Sequence, residues 1–188
     1  VIVTVTDNTS LTDTQTLTVT VTDVNDAPEI TSNSSINFAE NKTSAVITVT
    51  STDDDAGDTK TYSISGTDVD DFSIDSGSGV LAFASTPDFE IPTDSDTDNT
   101  YIVIVTITDS GGETASQTLT ITVTAVNDAP IITSNSSISF AENNTSAVTT
   151  VTSTDLDAGD TAAYSLSGTD VDDFSINSST GVLTFAST

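Results

Sequence analysis

The feature that most restricts this chain is a self-match without a gap. Val24-Asn25-Asp26-Ala27-Pro28 returns 102 residues later as Val126-Asn127-Asp128-Ala129-Pro130. The same offset carries Phe38-Ala39-Glu40-Asn41 onto Phe140-Ala141-Glu142-Asn143 and Asp53-Asp54-Asp55-Ala56-Gly57-Asp58 onto Asp155-Leu156-Asp157-Ala158-Gly159-Asp160. It also carries Asp68-Val69-Asp70-Asp71-Phe72 onto Asp170-Val171-Asp172-Asp173-Phe174, and Asp7 onto Asp109. A period of about a hundred residues is the size of one sandwich domain. On this register residues 1–23 are the last two strands of a preceding repeat, 24–125 are a complete repeat, and 126–188 are the first five strands of a following one. The two fragments lack only the counterparts of 87–102. That suggests a segment internal to a longer array or filament, in which the end of one copy and the start of the next complete a domain. An arbitrary window on a longer array reads equally well.

Within a unit apolar residues alternate with Thr and Ser, as in Leu119-Thr120-Ile121-Thr122-Val123-Thr124. This is the period of a strand with one buried face, and β-branched Thr suits the solvated face. The pattern predicts strands near 29–38, 44–52, 60–66, 71–75, 79–83, 101–109 and 114–125, with Gly- and Asp-rich turns between them and no helical period. Seven short strands with one apolar face each pack as two antiparallel sheets face to face. The expected fold is all-β: tandem seven-stranded Greek-key, immunoglobulin-like β-sandwiches. Tyr62, Phe72, Phe83, Tyr101 and the Ile/Val/Leu alternates form the expected core, with Phe38 and Phe89 closing its ends.

Charge restricts the partners. Lys+Arg total 2 against Asp+Glu 29, a formal net charge of -27 at pH 7. Such a surface repels phosphate backbones and anionic lipid, which excludes nucleic-acid and membrane-surface roles. With Lys42 and Lys60 as the only basic side chains, clustered carboxylates need water, distance or a metal. Cys, Met, Trp and His are absent, which removes disulfides, thiol nucleophiles, Cys/His zinc sites and a histidine base. No apolar run has the length of a membrane span, and the first residues carry no signal-peptide pattern.

The acidic motifs, in their order along the chain, resemble those of cadherin repeats. Val24–Pro28 and Val126–Pro130 resemble the inter-domain linker, and Asp53/Asp55 and Asp155/Asp157 resemble its D-x-D partner. Glu40-Asn41 and Glu142-Asn143 resemble the acidic motif of the first strand, Asp88-Phe89-Glu90 the D-R-E motif, and Asp7 and Asp109 the Asp of A-x-D-x-G. The wording is closest to cadherin-like repeats of large bacterial secreted and cell-surface proteins. Two positions depart from the pattern. The linker lacks the last Asn of D-x-N-D-N, and its leading Asp is kept as Asp23 but is Ala125 in the second linker.

The resemblance implies cadherin-type sandwiches with Ca²⁺ between successive domains. At the first junction it assigns Asp23, Asn25 and Asp26 from the linker, with Asp53, Asp55, Asp58 and Asp109 from the complete repeat. At the second it assigns Glu40, Asp88 and Glu90 from the base of that repeat, Asn127 and Asp128 from the linker, and Asp155, Asp157 and Asp160 beyond it. Glu142 would serve a third. Because of Ala125, the first junction is expected to be better provided with linker ligands than the second. Partners implied are neighbouring repeats or identical copies, with cell-surface proteins or glycans beyond them, in an extracellular or cell-surface setting.

The chemistry of the residues agrees. Ca²⁺ takes about six to eight oxygen ligands, and an Asp/Asn-rich hinge offers oxygen and nothing softer. Without a cation, two carboxylates about 4 Å apart repel by about 4 kcal/mol at an effective dielectric of about 20. A metal-free linker should therefore splay, and a loaded one should stiffen. A solvated acidic surface suited to high salt is the bland reading of the same residues.

Asp94-Ser95-Asp96-Thr97-Asp98-Asn99 imitates the start of an EF-hand loop, but it lacks Gly at the sixth place and reads mainly as a polar turn. Asp68-Val69-Asp70-Asp71 reads as turn chemistry. The N-x-S/T sequons, such as that at Asn41, are what a chain rich in Asn, Ser and Thr generates by chance. A carbohydrate-binding sandwich is the alternative function, weakened by the absence of Trp and by only 3 Tyr and 7 Phe. An enzyme is not expected, since the paired carboxylates fall in solvated hinges rather than an apolar cleft.

Overall fold

The computed structural model describes residues 1–186. Apart from two short 3-10 turns, Val69–Asp71 and Val171–Asp173, every regular element is a strand. No helix among the described residues is long and apolar enough to cross a membrane. The chain opens with a hairpin of β1 (Ile2–Thr6) and β2 (Thr12–Thr16). Then come β3 (Glu29–Ile30), β4 (Ser35–Ala39), β5 (Ile47–Thr48), β6 (Ser51–Thr52), β7 (Thr61–Ser65), β8 (Phe72–Ile74), β9 (Val80–Phe83), β10 (Thr100–Thr108) and β11 (Thr114–Thr124). The last segment contributes β12 (Ile131–Ile132), β13 (Thr149–Thr150), β14 (Ser153–Thr154), β15 (Phe174–Ile176) and β16 (Val182–Phe185).

One sheet of the central sandwich runs β4-β11-β10-β7 and the other β5-β9-β8, with the short pair β3-β6. The all-β expectation holds. The register of β10 on β11 turns Tyr101, Val103, Val105, Ile107, Leu119, Ile121 and Val123 inward, all at 0–1% exposure. Each such aliphatic side chain contributes about 1.5–3 kcal/mol by leaving water. The Phe83 ring centroid lies 4.5 Å from Phe72 and 5.3 Å from Phe38 in tilted contacts and 5.1 Å from Tyr101 edge to face. Phe38 thus belongs to the core rather than to its end, whereas Phe89 and Tyr62 pack against it half-buried. The buried Tyr101 hydroxyl accepts the Thr93 N–H at 3.1 Å, which satisfies its polar tip.

Two expected strands are broken. The run 29–38 becomes β3, which pairs with β6, and β4, which pairs with β11; the run 44–52 likewise divides into β5 and β6. A segment that bonds to both sheets must give up its ladder where it crosses, and the polar Thr31-Ser32-Asn33-Ser34 is that crossing. After it, β4 runs parallel to β11. The expectation of purely antiparallel sheets fails at this edge for that reason.

The flanking segments show what the neighbouring strands supply. β2 stops at Thr16, whereas β11, its counterpart, runs to Thr124 beside β4. Val3 and Val21 stand 49% and 92% exposed, while their counterparts Val105 and Val123 are at 0% and 1%. In 126–186 the pairs β12-β14 and β13-β16-β15 form, matching β3-β6 and β5-β9-β8. The counterparts of β4 and β7, whose partners would be β11 and β10, are not strands there. Pairing therefore decides strand formation at these positions more than local propensity does. The β1-β2 hairpin pairs with no strand of 126–186, so the two fragments do not complete one another within one chain.

Candidate metal centres at the repeat junctions

At the first junction the loop ends of the central sandwich bring oxygen atoms of Asp53, Asp58 and Asp109 within 4.8 Å of one another. Asp109 sits at the end of β10, where the turn to β11 curls its backbone around the carboxylate. The Gly112 and Glu113 N–H groups donate to Asp109 Oδ1 at 2.6 and 2.9 Å. The linker reaches in from the other side: Asn25 Nδ2 donates to Asp109 Oδ2 at 3.0 Å. Burial pushes the Asp109 carboxyl up, but the Asn25 carboxamide and the Glu113, Gly112 and Gly111 N–H groups outweigh it, holding it below the usual carboxylate range.

Asp55 stands beside this cluster. Its Oδ2 accepts the Asp26 N–H at 2.6 Å, and its own N–H donates to Asp53 Oδ1 at 3.1 Å. The D-x-D motif thus clasps the linker with one carboxylate and turns the other inward. Ser110 Oγ donates to Asp58 Oδ1 at 2.6 Å, a contact that no motif signalled. Asp23 is exposed and joins none of these groups.

At the second junction the base of the central sandwich assembles Glu40, Asp88 and Glu90 within 4.8 Å, and the following segment assembles Asp155, Asp157 and Asp160 likewise. Glu40 is 1% exposed at the end of β4. Its Oε2 accepts the Phe89 N–H at 2.8 Å and its Oε1 the Val126 N–H at 2.6 Å, so one side chain ties the D-F-E motif to the linker. Asp88 Oδ1 accepts the Glu90 and Ile91 N–H groups at 3.0 and 3.1 Å. The linker clasp recurs, with the Asp128 N–H donating to Asp157 Oδ2 at 2.6 Å. Asn127 Nδ2 turns to the Asp128 carbonyl at 2.6 Å.

Charge is concentrated here without compensation. Burial, then Glu40, Asp157 and Asp128, push the Glu90 carboxyl above its ordinary value. Burial, then Glu40, Asp157 and Asp88, do the same to Asp128, against the hydrogen bond from Asn41. Base, linker and next segment therefore feel one another electrostatically. The second linker, with Ala125 at its leading position, thus lies between two carboxylate groups, one on each side.

The donor set suits a hard cation. Asp53 Oδ2, Asp58 Oδ2 and Glu90 Oε2 are buried with no hydrogen-bond partner. Such atoms are costly unless something positive meets them, and every donor is oxygen. The Asp94, Asp96 and Asp98 carboxylates also converge within 4.8 Å. There Asp94 accepts the Asp98 and Asn99 N–H groups at 2.9 and 3.3 Å, and Asn99 takes a left-handed φ of 65°, the conformation a glycine would otherwise supply. Asp68 pins this loop by accepting the Ser95 and Ile102 N–H groups at 2.9 and 2.7 Å, in keeping with a turn role.

The cadherin domain family matches residues 34–125. No curated protein matches. Among solved structures, human CDH23 EC21-23 is 25% identical with a TM-score of 0.62, over 98% of this chain and 62% of that one. Drosophila N-cadherin EC1-4 is 26% identical with a TM-score of 0.51, over 86% of this chain and 41% of that one. The protocadherin gammaB7 EC3-6 cis-dimer is 25% identical with a TM-score of 0.56, over 99% and 49%. The chain spans about half the length of these structures.

Proposed function

We propose that this chain, whose residues 34–125 match the cadherin domain family, is a structural and adhesive part of a secreted or cell-surface protein, stiffened by Ca²⁺ at its repeat junctions. The observation that carries the reading is the second junction. Glu40, Asp88 and Glu90 from one repeat, Asp128 from the linker and Asp157 from the next segment come close enough that burial and their mutual charge raise the Glu90 and Asp128 carboxyls. Asp53, Asp58 and Asp109 would hold an ion at the first junction with Asn25, Asp26 and Asp55 clasping the linker. Asp155 and Asp160 would complete the second. When bound, Ca²⁺ supplies the positive charge that turns mutual repulsion into shared coordination across two repeats. The residues do the rest: Glu40 ties base to linker, and Asp55 and Asp157 hold linker N–H groups.

The role is mechanical rather than catalytic, a spacer or filament shaft. Its first partners are the neighbouring repeats, and a matched structure being a cis-dimer favours pairing with identical copies as well. The carbohydrate-binding alternative loses ground because Phe38, Phe72 and Tyr101 are buried rather than laid out as a platform. Calorimetric titration of Ca²⁺ into the chelator-treated chain tests the reading. Binding heat that is reduced in Glu90→Gln and Asp128→Asn, with the first-junction share retained, supports it, whereas no heat in the parent chain rules it out.

A further inference from the structure

We propose that Asn41 is a positioning residue for the second junction. Its carboxamide crosses from the base of the central repeat to the linker and holds the Asp128 carboxylate against the Glu40, Asp88 and Glu90 cluster. Asn41 Nδ2 donates to Asp128 Oδ1 at 3.1 Å, between residues 87 positions apart. Its own N–H donates to the Pro87 carbonyl at 3.0 Å, which anchors the backbone from which the side chain reaches.

The backbone conformation explains how two consecutive residues can grip the same linker. In an extended strand successive side chains point to opposite faces. Yet Glu40 bonds to Val126 and Asn41 to Asp128, two residues further along. Asn41 has a φ of 61°, in the left-handed region, and this turn at the end of β4 swings its side chain to the side that Glu40 already faces. Asn tolerates that region better than most residues because its short polar side chain finds local hydrogen bonds. The conformation belongs to the motif: Asn143, its counterpart, has a φ of 62°.

The chemistry of a carboxamide fits the place. Asn41 is a hydrogen-bond donor set among carboxylates, reaching Asp128 beside Glu40 and Asp157. A lysine there would hold the carboxylate equally well but would repel an arriving cation; an amide N–H donates without a net charge. The first junction repeats the device with different residues, since Asn25 Nδ2 donates to Asp109 Oδ2 at 3.0 Å.

The inference rests on the calcium reading for its affinity arm only, and the test separates the two. Asn41→Gly removes the carboxamide while keeping the left-handed backbone accessible. Asn143→Gly makes the same change at a side chain that bonds to no linker among the described residues. In EDTA, the Val126 and Asp128 amide protons of Asn41→Gly are expected to exchange about three- to tenfold faster by NMR, with Val105 unchanged and Asn143→Gly like the parent. In calorimetry, Asn41→Gly should weaken Ca²⁺ binding by about the same factor. Unchanged exchange in EDTA, or equal acceleration in Asn143→Gly, overturns the latch. Accelerated exchange with unaltered Ca²⁺ affinity overturns its positioning role. If the parent chain binds no Ca²⁺, the calcium reading fails while the EDTA exchange still judges the latch.

Discussion

Replacing Glu40 should damage the central repeat even where no metal is present. Its carboxylate is 1% exposed and is the acceptor for two backbone donors, Phe89 N–H and Val126 N–H. An orphaned buried donor costs about 1–3 kcal/mol. Val126 is 43% exposed, so water can replace part of its bond, whereas the half-buried Phe89 N–H has less access to it. Glu40→Ala should therefore lower stability by about 2–4 kcal/mol, and Glu40→Gln, which keeps one carbonyl acceptor, by about half as much. Both substitutions lift the same repulsion from Glu90 and Asp128, so their difference reports the hydrogen bonding together with the buried volume that Ala removes. The repeat supplies the control: Glu142 is exposed, and Glu142→Ala should stay within about 0.5 kcal/mol of the parent. Urea unfolding in EDTA, followed by circular dichroism, gives all three. Equal stability of Glu40→Ala and Glu142→Ala would refute the clamp.

Other consequences are as direct. Leu119→Ala should cost about 2–5 kcal/mol by opening a cavity in the core beside Val103, while Leu17→Ala, at the equivalent place but 43% exposed, should cost under about 1 kcal/mol in the same assay. Gly111→Ala would place a Cβ on the Asn25 carboxamide, driving it off Asp109; an NMR Ca²⁺ titration should show the first junction weakened several-fold and the second unchanged. The two junctions should respond to acid in opposite senses without metal. Glu90 and Asp128 have raised folded values, so their contribution is present in acid and is lost as pH rises through those values. Asp109 has a lowered value, so its contribution is present above the ordinary Asp value and is lost as pH falls through the lowered one. Amide exchange in EDTA between about pH 3 and 6 should show Val126 better protected and Gly112 less protected as pH falls.

Much of this was legible in the residues because the repeat is gapless. The alternation in Leu119–Thr124 gave away the buried face of β11, and the acidic motifs pointed to the groups that the fold gathers as Asp53/Asp58/Asp109, Glu40/Asp88/Glu90 and Asp155/Asp157/Asp160. What periodicity could not show was the crossing at Thr31–Ser34. A strand that changes sheets keeps its composition and alters only its partners. Nor could it show that Asp55 and Asp157 spend an oxygen on a linker N–H, or that Asn41 reaches Asp128. Those depend on a left-handed backbone and on contacts between distant residues.

The central claim is that cation binding at the second junction fixes one repeat against the next. The chain has no cysteine, so thiols introduced as Ser116→Cys and Ser175→Cys, both at exposed positions, take spin labels cleanly. Double electron–electron resonance between them, in Ca²⁺ and then in EDTA, measures the spread of distances across the junction. A narrow distribution in Ca²⁺ that broadens in EDTA is the predicted result; the same width in both would contradict it.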